Sequence, residues 1–143
     1  MNYEQCRRQA LSDLAEYKYL KSSITVLQSR IQMLRSISAE QPNNSMTADN
    51  DAFNDPYQLQ IKLFRETVRK NKAKVNSIEY ALSTLSEKDR ENLTGFYINR
   101  YRNSVRDMAR KEYTDRSTLY RRAQRSMDKY ILAYFGIAPP RKR

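Results

Sequence analysis

The side chains best suited to chemistry lie in the segment SVRDMARKEYTDRSTLYRRA, residues 104–123. Its pattern predicts two short helices joined by a tight polar turn. Ala109 is small enough for the second helix to cross the first closely, and Leu119, ten residues later, can bury the second helix against the domain. That spacing leaves cationic and hydroxyl side chains on the outer face, an arrangement suited to the major groove of DNA.

The start of a recognition helix reaches base edges most easily, so we expect the base contacts to come from its first two turns. The predicted base contacts are Arg116, Ser117, Tyr120 and Arg121. Arg116 or Arg121 can bridge O6 and N7 of a guanine, which gives about 1–3 kcal/mol of discrimination. The predicted phosphate contacts, which orient the domain without reading sequence, are Arg110, Lys111, Thr118, Arg122 and Arg125.

The sequence offers no catalytic or metal-binding constellation. It contains no His, and Cys6 is its only cysteine, which excludes zinc fingers and an intrachain disulfide. Its two glycines, Gly95 and Gly136, cannot form a phosphate-cradling loop. Asp49 and Asp51 lack the spacing of a calcium-binding loop. We therefore predict that the protein is not an enzyme and uses no cofactor or metal.

The charge is concentrated towards the C-terminus. The formal net charge is +11; residues 86–143 hold 15 Lys and Arg against 7 Asp and Glu, whereas residues 1–85 hold 12 against 9. Such a surplus is expected of a protein that binds a polyanion. No apolar run approaches the roughly 20 residues that span a bilayer, and a single cysteine suits a reducing compartment. We therefore predict a cytoplasmic protein that does not enter a membrane.

Two long helices are predicted in the N-terminal part, from about 4 to 39 and from 56 to 84. Apolar residues recur in both at alternating three- and four-residue steps, which is typical of coiled coils. The two stripes are Tyr17, Leu20, Ile24, Leu27, Ile31 and Leu34, and Ile61, Phe64, Val68, Val75, Ile78, Leu82 and Leu85. Their similar lengths favour an antiparallel hairpin, with pairing between chains as the alternative. Asn71 either fixes the register in that seam or lies at its solvated edge, which we favour.

Local signals set the remaining boundaries. A polar loop is predicted from Gln41 to Asp55, and the helix after it begins at Asp55-Pro56, a good N-cap followed by a good first residue. Helices are also predicted at 86–100, 105–112 and from about 116 to 135. Their predicted caps are Ser86, Ser104, Thr114 or Asp115, and Gly136 at the last C-terminus.

The run from Leu82 to Tyr134 resembles region 4 of bacterial sigma-70 factors and their helix-turn-helix relatives. The matching parts are Leu85 with residues 86–100, residues 105–112 containing Ala109, and the recognition helix RSTLYRR, residues 116–122. One position departs from the pattern. The turn residue usually held by Gly is Tyr113, which must tolerate a positive φ.

The whole chain resembles phage late-gene transcription activators of the RinA/ArpU type, encoded by phages of Gram-positive bacteria. The composition and the patterns above predict an all-α fold with a coiled-coil hairpin in residues 1–84, a DNA-binding domain in residues 85–136 and a basic tail in residues 137–143. The resemblance implies double-stranded DNA and host RNA polymerase as partners, and we expect a homo-oligomer, with a dimer favoured. The alternatives are a phage small terminase subunit that recognises packaging-site DNA, and a coiled-coil interaction protein that does not bind DNA.

Overall fold

The computed structural model describes residues 1–40 and 55–141, and all regular elements in these ranges are helices. The predicted all-α class is confirmed. The elements are α1 (Tyr3–Glu40), α2 (Pro56–Ser83), α3 (Glu87–Leu93), a π-helical turn (Thr94–Ile98), α4 (Ser104–Lys111) and α5 (Arg116–Phe135). In the described ranges, no helix combines the length and apolarity that crossing a membrane requires. Residues 41–54 of the loop predicted from Gln41 to Asp55, and the basic residues Lys142 and Arg143, lie outside the described residues.

Most predicted helix ends are confirmed, because short-range hydrogen bonds define them. The N–H of Tyr57 donates to the Asp55 carboxylate over 2.9 Å, and α2 begins at Pro56. Ser86 accepts the N–H of Asp89 over 3.2 Å at the start of α3. Gly136 ends α5 with φ +72°, a conformation that Gly adopts without a side-chain clash.

The predicted cap at Ser104 is wrong. Ser104 is the first residue of α4, and the N-cap is Asn103, whose side chain makes no capping hydrogen bond. The Ser104 hydroxyl instead accepts the N–H of Tyr101 over 3.3 Å, on the N-terminal side of the helix. The Ser104 hydroxyl therefore stabilises the turn before α4, and the buried Ser104 side chain holds that turn against the rest of the unit.

The single helix predicted at 86–100 is shorter than expected. Regular α-helix ends at Leu93, and the next turn widens so that the N–H of Asn99 donates to the carbonyl of Thr94 over 2.7 Å. The widening includes Gly95, where a Cβ would lie 2.8 Å from Sδ of Met108 on α4. Because Gly95 has no side chain, the methionine of α4 can pack directly on its backbone.

The chain divides into two compact units. We call Met1–Lys18 with Asn76–Arg143 the terminal unit, and Tyr19–Val75 the central unit. Residues 1–18 and 76–84 thus belong with α3, α4 and α5, although the sequence predicts them to be part of a separate long-helix domain at 1–84. The predicted boundary therefore does not coincide with the boundary between the compact units.

The central unit consists of the adjoining parts of α1 and α2, which pair within one chain. Ile31 and Leu34 of α1 are buried with Ile61 and Val68 of α2. Gln58 near the start of α2 donates to Ser38 near the end of α1 over 3.1 Å. The Asn71 amide donates to the Ser23 hydroxyl over 3.2 Å, so the helices run antiparallel. Asn71 is half-buried, a position at the edge of the seam.

The terminal unit is built around α5, and the start of α1 packs against that helix. Cys6, Ala10 and Leu14 are fully buried, and the Tyr3 hydroxyl donates to Asp128 of α5. Tyr130 of α5 is also fully buried. Burial raises the pKa of the Tyr130 phenol, and the nearby negative charge of Asp13 on α1 raises it further. The first four turns of α1 are therefore part of the core that supports α5.

Candidate nucleic-acid interface

The inner face of α5 is held by a small apolar cluster. Leu119, 1% exposed, and Ala123 are buried against Phe96, which follows α3. Val105, Met108 and Ala109 of α4 pack on the same cluster and are partly buried. The predicted burial of Leu119 is confirmed, as is the inward placement of Ala109. This packing fixes which side of α5 faces away from the unit.

The turn between α4 and α5 places Tyr113 in the left-handed region, with φ +51°. The N–H of Thr114 donates to the carbonyl of Ala109 over 3.0 Å, and that of Tyr113 donates to the carbonyl of Arg110 over 3.3 Å. This is the Schellman pattern, which normally uses Gly. A non-Gly residue in this conformation costs roughly 1–2 kcal/mol. The Tyr113 side chain is 98% exposed, so no packing within the unit offsets the strain.

Asp115 caps the first turn of α5. Its carboxylate accepts the N–H of Thr118 over 2.7 Å. The hydroxyl and N–H of Thr118, together with the charge of Arg121, hold the pKa of Asp115 below its ordinary value. Of the two predicted caps, Asp115 is therefore the one used. Thr118, predicted as a phosphate contact, is half-buried with its hydroxyl bound in this cap.

The residues predicted to read bases lie on the outer face of the first two turns of α5. Arg116, Ser117 and Arg121 are exposed, and neither arginine forms an ion pair with any residue that the structure describes. Tyr120 is 49% exposed, and its ring packs edge-on against Phe96 with 5.2 Å between centroids. Phe96 therefore restrains Tyr120, while the arginines remain free to extend into solvent.

The residues predicted to contact phosphate fall into two groups. Arg110, Lys111 and Arg125 are exposed and make no ion pair within residues 1–40 and 55–141. Arg122 donates to Glu112 over 3.1 Å, and Lys88 of α3 binds the other oxygen of that carboxylate over 3.0 Å. Glu112 thus links three elements. The sequence prediction missed this role, which i,i+3 or i,i+4 spacing could not have revealed.

A buried polar network that the sequence did not predict ties α5 to α3. Asp89 accepts the hydroxyl of Ser126 over 2.8 Å and the ammonium of Lys129 over 3.1 Å. The Asn92 amide donates to the same Ser126 over 3.2 Å. Burial opposes ionisation of Asp89, but hydrogen bonds from Ser126, Lys129 and Ser86 hold its pKa below the ordinary value. The network fixes the rotation of α5 and therefore the direction in which its arginines point.

Tyr101 does not lie in the core. The helical spacing of Leu93, Phe96, Tyr97 and Tyr101 predicts one shared apolar face, but Tyr101 is 58% exposed, so that prediction is wrong for Tyr101. Its hydroxyl donates to Asp107 of α4 over 2.8 Å, and that bond raises the pKa of the phenol. The helical period that predicted an inward side chain ends with the π-helical turn, three residues earlier.

No protein-family model, curated protein or solved structure matches this chain. Any function must therefore be inferred from the residues themselves. α5 is anchored by Leu119 and Ala123 on one side, and on the other it carries Arg116 and Arg121, which form no ion pair with the residues that the structure describes. Such a helix can donate hydrogen bonds to base edges while nearby cations neutralise phosphates.

Proposed function

We propose that this protein is a sequence-specific regulator of transcription that binds double-stranded DNA, with α4 and α5 acting as a helix-turn-helix. The observation that carries the proposal is the exposure of Arg116 and Arg121, without ion-pair partners among the described residues, on a helix whose opposite face is buried. Arg122, by contrast, is bound by Glu112. The charge of Arg121 acts on Asp115, but neither Arg116 nor Arg121 forms an ion pair with a described residue, so both guanidinium groups can extend to a DNA partner.

The start of α5 enters the major groove in this proposal. Arg116 and Arg121 donate to guanine edges, while Ser117 and Tyr120 contact neighbouring bases. Arg110, Lys111 and Arg125 contact the phosphates, which fix the register of the helix without reading sequence. Arg122 is assigned instead to the ion pair with Glu112, because that contact directs its guanidinium to the end of α4.

The biological role is proposed from the resemblance to phage late-gene activators. In this role the protein binds near a late promoter and helps host RNA polymerase to begin transcription. The paired parts of α1 and α2 form a coiled-coil hairpin that serves as a scaffold. The resemblance lies in the run RSTLYRR, in the Leu before a capped helix and in the long N-terminal helices.

A dimer is also part of the proposal. Ile31, Leu34, Ile61 and Val68 of the predicted seams pack on each other within one chain, so a second copy needs another face. Tyr19, Val26 and Met33 are exposed at seven-residue steps along α1 and form an apolar line suited to a second copy. Helix-turn-helix dimers read paired half-sites one helical turn apart. We therefore expect Val26→Glu to reduce the solution mass measured by sedimentation equilibrium.

Selection of bound fragments from the source genome, followed by footprinting, tests the proposed function. We expect one enriched site, upstream of a gene cluster, that is retained in competitor DNA at about 0.1 M salt. Enrichment at a packaging start would instead indicate the small terminase subunit. Failure to retard any duplex would leave the interaction protein as the remaining alternative.

A pair of arginine variants distinguishes contacts with bases from contacts with phosphates. Arg121→Ala should relax base preference at one position of the site by about 1–3 kcal/mol. The control, Arg125→Ala, should weaken all sequences equally and reduce the log–log salt slope by about 0.9. Binding to a set of single-base site variants measures both. If the two variants behave alike, the assignment of Arg121 to a base is wrong.

A further inference from the structure

A second group of cations lies along α2, outside the helix-turn-helix. Lys62, Arg65, Arg69 and Lys72 follow one another at three- and four-residue steps, so they form a row on one side of the helix. We call this row the α2 stripe. It extends about 15 Å along the helix axis, at 1.5 Å per residue. Between residues 62 and 74, six residues are Lys or Arg and only Glu66 is acidic.

The α2 stripe is exposed and unneutralised. All four side chains are exposed, and none forms an ion pair with a residue in the described parts of the chain. Glu66 is one helical turn from Lys62, Arg69 and Lys70. Arg65 and Lys72 have no acidic residue three or four positions away. The repulsion between these like charges is unfavourable in the isolated protein and is relieved by an anionic partner.

The packing of α2 shows what kind of anion suits the stripe. Ile61 and Val68 are buried against α1, so the apolar face of the helix is not available to enter a lipid surface. The exposed Leu63 lies about 160–180° around the helix from Arg65 and Lys72, at 100° per residue. The exposed Leu59 lies one turn before Lys62, at the end of the stripe, and about 120–140° from Arg65 and Lys72. An amphipathic membrane helix needs apolar side chains along its row of cations. A long, regularly spaced row of cations with little exposed apolar surface beside it better matches the backbone of a nucleic acid.

We propose that the α2 stripe is a second phosphate-binding surface for duplex DNA. The proposal rests on the DNA binding proposed above and adds a contact in the central unit that does not read sequence. The four cations are spaced about 5 Å apart along the helix axis, and the phosphates of one DNA strand rise about 3.4 Å each along the duplex. Long Lys and Arg side chains can span that difference, so each cation can contact a separate phosphate.

Salt dependence of binding by the full chain tests the proposal. The double variant Arg65→Gln/Lys72→Gln removes two stripe cations at exposed positions. Each lost phosphate contact should reduce the log–log salt slope by about 0.9, so the double variant should reduce it by about 1.8. Extrapolated from 1 M salt, that slope corresponds to roughly 60-fold weaker binding at 0.1 M. A single Arg69→Gln should give about half of the change in slope.

A matched control removes the same charge from the other side of the central unit. Arg30 lies seven residues after Ser23, on the side of α1 that contacts Asn71, and Lys70 lies about 140–160° from Arg65 and Lys72 around α2. We expect Arg30→Gln/Lys70→Gln to keep the wild-type slope. If both double variants change the slope equally, the effect comes from net charge and the stripe is not a site.

The outcomes separate this inference from the proposed function. Wild type that retards no duplex at low salt would overturn both. Wild type that binds DNA, with an unchanged slope in the stripe variants, would overturn the stripe alone and leave the helix-turn-helix in place. Sedimentation of the protein with phosphatidylserine vesicles tests the alternative that the α2 stripe binds a membrane. Stripe-dependent binding to vesicles with an unchanged DNA slope would identify a membrane as the partner and refute the proposal. Circular dichroism of each variant verifies its helix content.

Discussion

The terminal and central units both expose cations on helices, but they hold those helices in different ways. In the terminal unit, α5 is fixed by an apolar cluster around Leu119 and by a buried polar network around Asp89. In the central unit, two helices meet along one seam, with Asn71 and Ser23 bonded at its edge. The contacts in the terminal unit fix the rotation of α5 about its axis. The seam in the central unit mainly determines that α1 and α2 pack against each other.

This difference has a consequence for the cations. In the terminal unit, carboxylates engage some cations and leave others free. Glu112 binds Arg122 and Lys88, and Asp89 binds Lys129, whereas Arg116 and Arg121 have no ion-pair partner among the described residues. In the central unit, Glu66 is the only acidic residue between positions 62 and 74, and all four cations of the α2 stripe are exposed. In the proposed complex with DNA, we therefore expect the terminal unit to make contacts that depend on base sequence. We expect the central unit to make phosphate contacts that do not depend on it.

The largest effect that sharpens the comparison is expected at Leu119. Leu119→Ala removes a side chain that is buried between α5 and its supports, and should lower the free energy of unfolding by about 2–5 kcal/mol. Leu132→Ala, the same change at a half-exposed position of α5, is the control and should cost much less. Urea denaturation followed by circular dichroism measures both. Equal losses of unfolding free energy in the two variants would show that Leu119 does not hold α5 against the unit.

The Asp89 network should give the next largest effect. Asp89→Asn weakens the bond to Ser126 in a buried site and should cost about 1–3 kcal/mol at neutral pH. Glu91→Gln, the same loss of charge at an exposed position of α3, is the control and should change stability by about 0.5 kcal/mol or less.

The pH dependence of the same variant has a definite sign. The pKa of Asp89 is lowered in the folded protein, so its contribution is complete above the ordinary carboxyl pKa and is lost as the pH falls through the folded value. The gap in stability between wild type and Asp89→Asn should therefore narrow as the pH falls below the ordinary carboxyl pKa of 3.8. Thermal melts at a series of acidic pH values measure it. A gap that widens in acid would contradict the lowered pKa.

A gain of stability is expected at the turn between α4 and α5. Tyr113→Gly relieves the positive φ and should stabilise the protein by about 1 kcal/mol. Tyr113→Ala removes the same exposed ring but keeps a Cβ, so it should leave stability nearly unchanged. Melting temperatures of the two variants distinguish backbone strain from any contribution of the ring. Stabilisation by both variants to the same extent would assign the cost to the ring.

The smallest effect is expected in the central unit. Asn71→Ala and Ser23→Ala each remove one half-buried hydrogen bond and should each cost about 0.5–1 kcal/mol. Because the two groups bond to each other, the double variant should lose little more than either single variant. A double-mutant cycle by chemical denaturation measures the coupling. A loss larger than that of Leu119→Ala would reverse the proposed ranking of the two units.

The sequence by itself determined the helices and most of their ends. Asp55-Pro56, Ser86 and Gly136 act through hydrogen bonds or backbone conformations within a few residues, so their effect can be derived from local spacing. The inner and outer faces of α5 also follow from spacing, because Leu119 and Ala123 lie four residues apart on one side. The row of cations on α2 was equally visible in the sequence. The net charge of residues 1–85 does not reveal it, because nine acidic residues, seven of them outside α2, offset the cations in the sum.

Tertiary structure alone decided which distant residues meet. Packing against α5 placed the start of α1 in the terminal unit, although its heptad pattern continues into the central unit. The approach of Met108 to Gly95 accompanies the end of regular helix at Leu93, and the position of Glu112 beside α5 gave Arg122 an ion-pair partner ten residues away. Such contacts depend on how helices pack across the whole unit, and no local period encodes them.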